Sequence, residues 1–382
     1  KPENFGGGYP NADARYVKEG IEYLEQVRIS REKGEPRKPY CLVLSLVNPH
    51  DVLGYPKSVQ FGYTPDEYTG RTITDLPPTV TEQLLKNGKP MAQLQTNIAA
   101  DGLLGVLRND DMKLNYLNFY AYLLTKIDGE IGKFIDVLYD DTKGRRLADD
   151  AVVIRLADHG EMGMSHGGMR QKAFVAYEEA LRIPMVISNP IVFNKKESSD
   201  ELATLIDIFP TISEIVGVPK DSNARGESLI PIIEEGKSVQ DSILFTFDDT
   251  KSGSNNLPSS VKATNRLRAI RTNDWKYTYY FDSLGRYQKE YELYDLVNDI
   301  EELHNLAYKP EYREQREYLH QQLMELEERK LRVNEVFVNK NNQYEYKTWV
   351  ETNPNFETYA YNDMEDYEKE SFDINEEKNT EK

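Results

Sequence analysis

Three apolar runs of strand length, each ending in polar residues, constrain the fold more than any other feature of this sequence. They are "PYCLVLSLVNPHD" (39–51), "AVVIRLADHG" (151–160) and "RIPMVISNP" (182–190). A strand with one face in water alternates apolar and polar residues, so a run without alternation predicts burial on both faces. Amphipathic segments lie between the runs. "NADARYVKEGIEYLEQVRI" places Tyr16, Ile21, Leu24 and Val27 near helical spacing. Residues 111–139 carry a stripe of Leu117, Tyr120, Leu124, Ile127, Ile131, Phe134 and Leu138 at steps of three and four. "SSDELATLIDIFPTISEIVGV" predicts another helical region, broken at Pro210 and closed near Gly217. Residues 51–110, with Pro and Gly throughout, are expected to cross the surface and to carry some short helix. The predicted class is α/β, a mostly parallel sheet sandwiched by helices.

The pattern changes after residue 240. "SILFTF", "RLRAIRTNDWKYTYYF" and "YELYDL" are short alternating or aromatic strands with turn signals between them, followed by a charged helix over about 309–332. This predicts a small C-terminal antiparallel α+β subdomain. The expected organisation is an α/β domain over 1–240, the subdomain over 241–335, and an acidic, disordered tail over 336–382. Residues 351–382 hold eleven acidic and three basic residues, a large part of the net charge of −18. That balance argues against nucleic acid or an anionic membrane as partner. No segment approaches the ~18–20 uninterrupted apolar residues of a membrane helix. The single cysteine, Cys41, excludes an internal disulfide and a cysteine metal cluster, and its strand setting predicts an inert core residue. A cysteine-poor chain fits cytoplasm and bacterial export alike, so localisation stays open, as does oligomeric state. The opening "KPENFGGGYP" has neither Met nor a signal-peptide pattern and reads as an entry into the middle of a longer chain.

In open α/β sheets functional groups gather beyond the carboxyl ends of the strands. His50 and the pair Asp158-His159 both stand at such ends. A carboxylate beside an imidazole, with Gly160 allowing a sharp bend, suits Ca2+, Mn2+ or Zn2+. The bland alternative is a capping aspartate and a hydrogen-bonded turn histidine. His166, Arg170 and Lys172 follow in a Gly/Met loop and fit an anion site, or else a solvated basic loop. His50, in "NPHD", suits a general acid or a simple turn residue. No G-x-S-x-G elbow, P-loop or dinucleotide fingerprint is present.

Taken together, these stretches resemble the sulfatases of the alkaline-phosphatase superfamily. The resemblance rests on "ADHGEMGMSHGGMRQKAFVAYEEALRIPMVI", on "PYCLVLSLVNPHDV", and on "IDIFPTISEIVGVP" followed by "ARGESLIPII". It extends to "LRAIRTNDWKYTYYF" and "YELYDLVNDIEELHNLA", in the family's order over about residues 10–332. It implies an alkaline-phosphatase-like fold and hydrolysis of a sulfate ester. Asp158 and His159 would be ligands to a divalent metal, usually Ca2+, with Mn2+ as the alternative. His50 would contact the ester oxygen and protonate the leaving group, and Lys172 would bind a sulfate oxygen. His166 and Arg170 match no family position and are kept as substrate-binding candidates.

The chain departs from the family pattern in lacking the nucleophile motif C/S-x-P-x-R, whose Cys or Ser becomes formylglycine. The strand ending in paired Asp residues and a K-x-H element are absent as well. All three precede the matching region in the family, so an N-terminally shortened chain, inactive alone, is expected. A phosphodiesterase or phosphonate monoester hydrolase of the same superfamily remains the alternative enzyme. A non-catalytic fragment or pseudoenzyme is the alternative outside catalysis.

Overall fold

The computed structural model describes residues 12–36, 39–57, 62–193, 197–221, 223–249, 263–282 and 285–331. The acidic stretch 336–382 lies outside them. Helix α1 (Ala12–Glu32) packs on the long helix α3 (Asp110–Tyr139). The buried face of α1 is Val17, Gly20, Leu24 and Arg28, one residue round from the Tyr16–Ile21 edge that hydropathy alone selects. Gly20 lets Phe134 of α3 come close: an added Cβ there would stand 3.1 Å from its ring. Leu24, Leu138, Leu147 and Ala148 form the core between the two helices.

Asn109 caps α3, its side chain accepting the N–H of Met112. The helix buries Leu117, Ile127 and Leu138 of the expected stripe, but also Tyr116, Phe119 and Leu123, while Leu124 is exposed. The extra width is taken up by the surface excursion. Tyr55, Tyr63 and Tyr68 fold back onto Phe119 in an aromatic cluster, with ring centroids 4.7–6.5 Å apart. Within that excursion helix α2 (Met91–Leu104) is the longest element.

The apolar runs behave differently from expectation. Strand β1 (Val153–Leu156) and strand β2 (Met185–Ser188) pair antiparallel, Val153 opposite Ser188 and Leu156 opposite Met185. The run 41–47 forms neither helix nor strand and joins no ladder among the described residues. Its Leu42 packs with Leu24 and Leu138 and its Leu44 approaches Gly20, while Cys41 and Val43 face outward. One face therefore rests on α1 and α3, and Cys41 is an exposed thiol and not a core residue. A mostly parallel sheet is not what the described strands form. Apolar runs specify burial and leave strand direction open.

Between β1 and β2 lie a distorted turn α4 (Ser165–Gly168) and a short helix α5 (Glu178–Leu181). Beyond β2 a 3-10 turn runs into helix α6 (Ile208–Ile215). Pro210 does not break this helix. It occupies the first turn, where its missing N–H is no loss. Buried Asp207 accepts from Thr204 N and Glu227 N, and Gly226 passes so close that an added Cβ would lie 2.0 Å from the Ile206 carbonyl oxygen. These contacts tie "IDIFPT" to "RGESL" ahead of helix α7 (Ile230–Glu235).

Strands β3 (Ile243–Asp248), β4 (Arg266–Arg271), β5 (Trp275–Phe281) and β6 (Glu290–Asp295) form an antiparallel sheet in chain order. Period-two alternation splits β5 between its faces. Tyr277 and Tyr279 meet helix α8 (Arg313–Leu331) through Leu319, Leu323 and Leu326. These leucines, at steps of four and three, each contribute roughly 1.5–3 kcal/mol by burial. On the opposite face Leu267, Ala269 and Tyr280 pack against Phe174, Ala176 and Ala92. The segment before α5 is thus floored by this sheet.

Candidate active site

Asp158 and His159 follow β1 at its carboxyl end, and both side chains face solvent, 84% and 41% exposed. His159 N–H donates to Asp158 Oδ1 at 3.0 Å, and His159 Nε2 stands 3.3 Å from Asp158 Oδ2. His159 Nδ1 lies 2.8 Å from the Gly160 carbonyl, which only accepts, so Nδ1 carries a proton and Nε2 is the ring nitrogen turned towards Asp158. Gly160 is required by close approach and not by a left-handed turn. Its N–H donates to Ala180 O at 2.8 Å, and an added Cβ would sit 1.9 Å from Glu179 O. The Asp158-His159 pair is therefore held against α5.

An exposed carboxylate and an imidazole meeting at one edge are donor types that suit a divalent cation. No cluster of three or more His, Cys, Asp or Glu that could hold a metal converges among the described residues.

His50 begins a 3-10 turn (His50–Gly54), half-exposed, with Nδ1 3.8 Å from Asp51. Its flanks are fixed. Asp13 of α1 accepts from Val47 N, Asn48 N and Asn48 Nδ2, and Tyr63 OH donates to Asp51 at 2.6 Å. No hydrogen bond or ion pair joins His50 to Asp158, His159 or Lys172 among the described residues.

The loop after Gly160 concentrates backbone strain. Of five non-glycine residues with positive φ among the described residues, four lie here: Met164, His166, Gln171 and Phe174. The fifth, Glu302, accepts the N–H of Glu178 at the loop's end. Such strain persists only where surroundings over-determine the backbone. His166 is fully buried, its ring stacked on Tyr177 at 3.7 Å, with Nδ1 2.6 Å from Glu82 and Nε2 3.6 Å from Glu179. Arg170 is buried too, donating to Asp101 and to Gly105 O at 2.8 and 2.9 Å. Both candidates thus have internal partners and turn away from solvent. Lys172 differs: it is half-buried and makes no hydrogen bond or ion pair among the described residues. It is the loop cation left without an internal partner.

Beneath the loop runs a buried charge network that sequence reading missed. Lys276 of β5 binds Ala176 O, Glu178 and Glu302, each at 2.8 Å. Lys89 binds Glu82 at 3.3 Å and donates to Tyr294 OH. Burial alone would raise the Glu178 carboxyl; Lys276 and Arg271 together outweigh it and hold Glu178 below the usual range. Glu161, which bonds Tyr116 and the backbone of Gln171, was also missed, although it directly follows Asp158-His159-Gly160.

Two family profiles match this sequence: "Sulfatase" over residues 2–218 and "N-sulphoglucosamine sulphohydrolase, C-terminal" over 166–329. Human arylsulfatase K is 28% identical over 204 residues, 51% of this chain and 34% of that protein. The aligned region thus spans about a third of that relative's length. A protein solved in complex with its substrate D-glucosamine-2-N,6-O-disulfate superposes with a TM-score of 0.64 at 18% identity, covering 84% of this chain and 70% of that one. Phosphonate monoester hydrolase of Agrobacterium radiobacter gives 0.60 at 21% identity, covering 83% and 61%. Both likenesses concern the fold. The profile over residues 2–218 takes in His50, Asp158-His159 and Lys172 together, and by that match the chain belongs to the sulfatase family.

Proposed function

We propose that this chain serves in the hydrolysis of a sulfate ester. The observation that carries the reading is the exposed edge after β1. There His159, with Nδ1–H donated to Gly160, presents Nε2 beside the Asp158 carboxylate, one loop away from the unpartnered Lys172. Asp158 and His159 would hold a divalent cation, Ca2+ by family resemblance with Mn2+ the alternative, and such a cation supplies Lewis-acid stabilisation of sulfate oxygens. Lys172 binds a sulfate oxygen and spreads the growing negative charge. His50 holds a proton at its imidazole and delivers it to the leaving ester oxygen. The Asp13 and Tyr63 bonds on either side fix its backbone without engaging its ring. By family resemblance the attacking group would be a formylglycine, whose C/S-x-P-x-R motif does not occur within residues 1–382.

The test uses the natural gene product that carries these residues, assayed on p-nitrophenyl sulfate and on D-glucosamine-2-N,6-O-disulfate. Sulfate release that falls at least about a hundredfold in Lys172→Ala supports the reading. Hydrolysis indifferent to Lys172 and to Asp158→Asn would sink it. The second reading, a phosphonate monoester hydrolase, draws support from the fold likeness to the Agrobacterium enzyme. Sulfate and phosphonate esters demand similar anion clamps, and turnover of p-nitrophenyl phenylphosphonate in preference to the sulfate would favour it.

A further inference from the structure

We propose that Glu161 is a positioning residue that sets Lys172 in register with the Asp158–His159 pair; this rests on reading Lys172 as the group that meets a sulfate oxygen. Glu161 immediately follows Gly160, and its carboxylate reaches across the base of the 162–171 loop. There it receives the Gln171 N–H on both oxygens, at 2.9 and 3.1 Å. Alongside, Met162 N–H donates to Gln171 O at 3.0 Å, so the two ends of the loop are clamped together through Gln171.

Gln171 needs such a clamp. Its φ of +75° lies in the left-handed region, which is strained for a non-glycine residue. A bond from its N–H to an ionised carboxylate is stronger than a neutral one and offsets that strain. The next residue is Lys172. Because its ammonium has no partner among the described residues, its direction is inherited from the backbone that Gln171 fixes. Glu161 is itself held: Tyr116, buried on α3, donates its hydroxyl to Glu161 Oε1 at 2.5 Å. A chain of bonds thus runs from the α3 core through Tyr116 and Glu161 to Gln171 and the Lys172 backbone. Neutralising the neighbouring cation does not account for Glu161, since Arg170 is bound by Asp101.

The experiment uses the full chain with its lysines dimethylated by 13C-formaldehyde, Lys172→Arg serving to assign the Lys172 signal by NMR. Its resting position is read first, then its response to inorganic sulfate. Glu161→Ala is expected to move the resting signal and to weaken sulfate binding at Lys172 about tenfold, the scale of one lost bond to a charged group. Glu161→Gln keeps one oxygen able to accept the Gln171 N–H and should stay within about threefold of the parent. Tyr116→Phe, which frees the carboxylate, should fall between them. A Glu161→Ala protein whose Tm drops while the Lys172 signal and sulfate affinity match the parent would overturn the proposal, since that is the mark of a merely structural residue. If sulfate leaves Lys172 unmoved in the parent, the sulfate-binding reading fails, while the resting signals still decide what Glu161 does. Should Glu161→Ala not fold, an unchanged Lys172 signal in Tyr116→Phe overturns it equally.

Discussion

His166 and Glu82 meet at 2.6 Å, imidazole Nδ1 to carboxylate oxygen, with both side chains fully withdrawn from water. Glu179 approaches the other ring nitrogen at 3.6 Å, Tyr177 covers one face of the ring, and Lys89 lies behind Glu82 at 3.3 Å. Burial by itself would lower the His166 pKa; Glu179 and Glu82 outweigh it and raise the value above the ordinary one. A raised folded pKa favours the protonated ring, so this stabilisation is whole below about pH 6.5 and is lost as pH rises through the folded value. The glutamates run the other way. Burial would raise both, but His166 holds both below the usual range, with Lys89 assisting at Glu82. Their share is present above about pH 4.3 and is lost as pH falls through their lowered values. In thermal scans the Tm gap between the parent and His166→Gln should therefore be widest near pH 6 and should shrink towards pH 9. A gap that stays constant across that range refutes a charged His166.

Lys276 is the second pin beneath the loop. Its ammonium is fully buried and holds Ala176 O, Glu178 and Glu302. Lys276→Met keeps the volume and leaves two carboxylates without their shared cation. Breaking a buried pair from one side costs about 3–5 kcal/mol, and urea denaturation should read a loss of that order. A loss under about 1 kcal/mol would mean that water or Arg271, 3.5 Å from Glu178, takes over.

Gly160→Ala isolates the close approach behind Asp158-His159. The new methyl would stand 1.9 Å from Glu179 O, and backbone on both sides leaves it no room. Overpacking of this kind costs typically 1–3 kcal/mol, and relief requires Asp158-His159 to move away from α5. A lower urea midpoint together with weakened Ca2+ binding is expected. An alanine variant that matches the parent in both measurements would remove close approach as the reason for glycine.

The sequence carried part of this and withheld part, for physical reasons. Long α3 was readable because one helix keeps its own period, whatever packs on it. The place of Asp158-His159 just past β1 was readable because polar residues capping an apolar run mark a strand end. The pairing of β1 with β2 was not, because burial on two faces looks alike in parallel and antiparallel neighbours. His166 and Arg170 read as pocket cations since their partners, Glu82 and Asp101, lie 84 and 69 residues away in sequence. Lys276 hid within "WKYTYYF" for the same reason, its carbonyl partner Ala176 being 100 residues earlier. Cys41 was misplaced because its run is covered on one face alone. Local pattern tells which residues leave water; only the assembled chain tells which charges meet.

His50 offers the sharpest test of chemistry, because its side chain is half in solvent and its loss should leave the fold intact. His50→Ala is expected to unfold within about 0.5 kcal/mol of the parent, as exposed substitutions do. In the natural gene product its effect should depend on the leaving group. A nitrophenolate departs readily without a proton, whereas a sugar alkoxide needs one as the S–O bond breaks. General acid catalysis contributes typically 10²–10⁴-fold, so the loss for a carbohydrate sulfate should approach that range while p-nitrophenyl sulfate loses far less. Comparing kcat/KM for the two esters in parent and variant measures this directly. Equal losses on both would show that His50 binds the ester without delivering the proton, and no loss on either would remove it from the reaction.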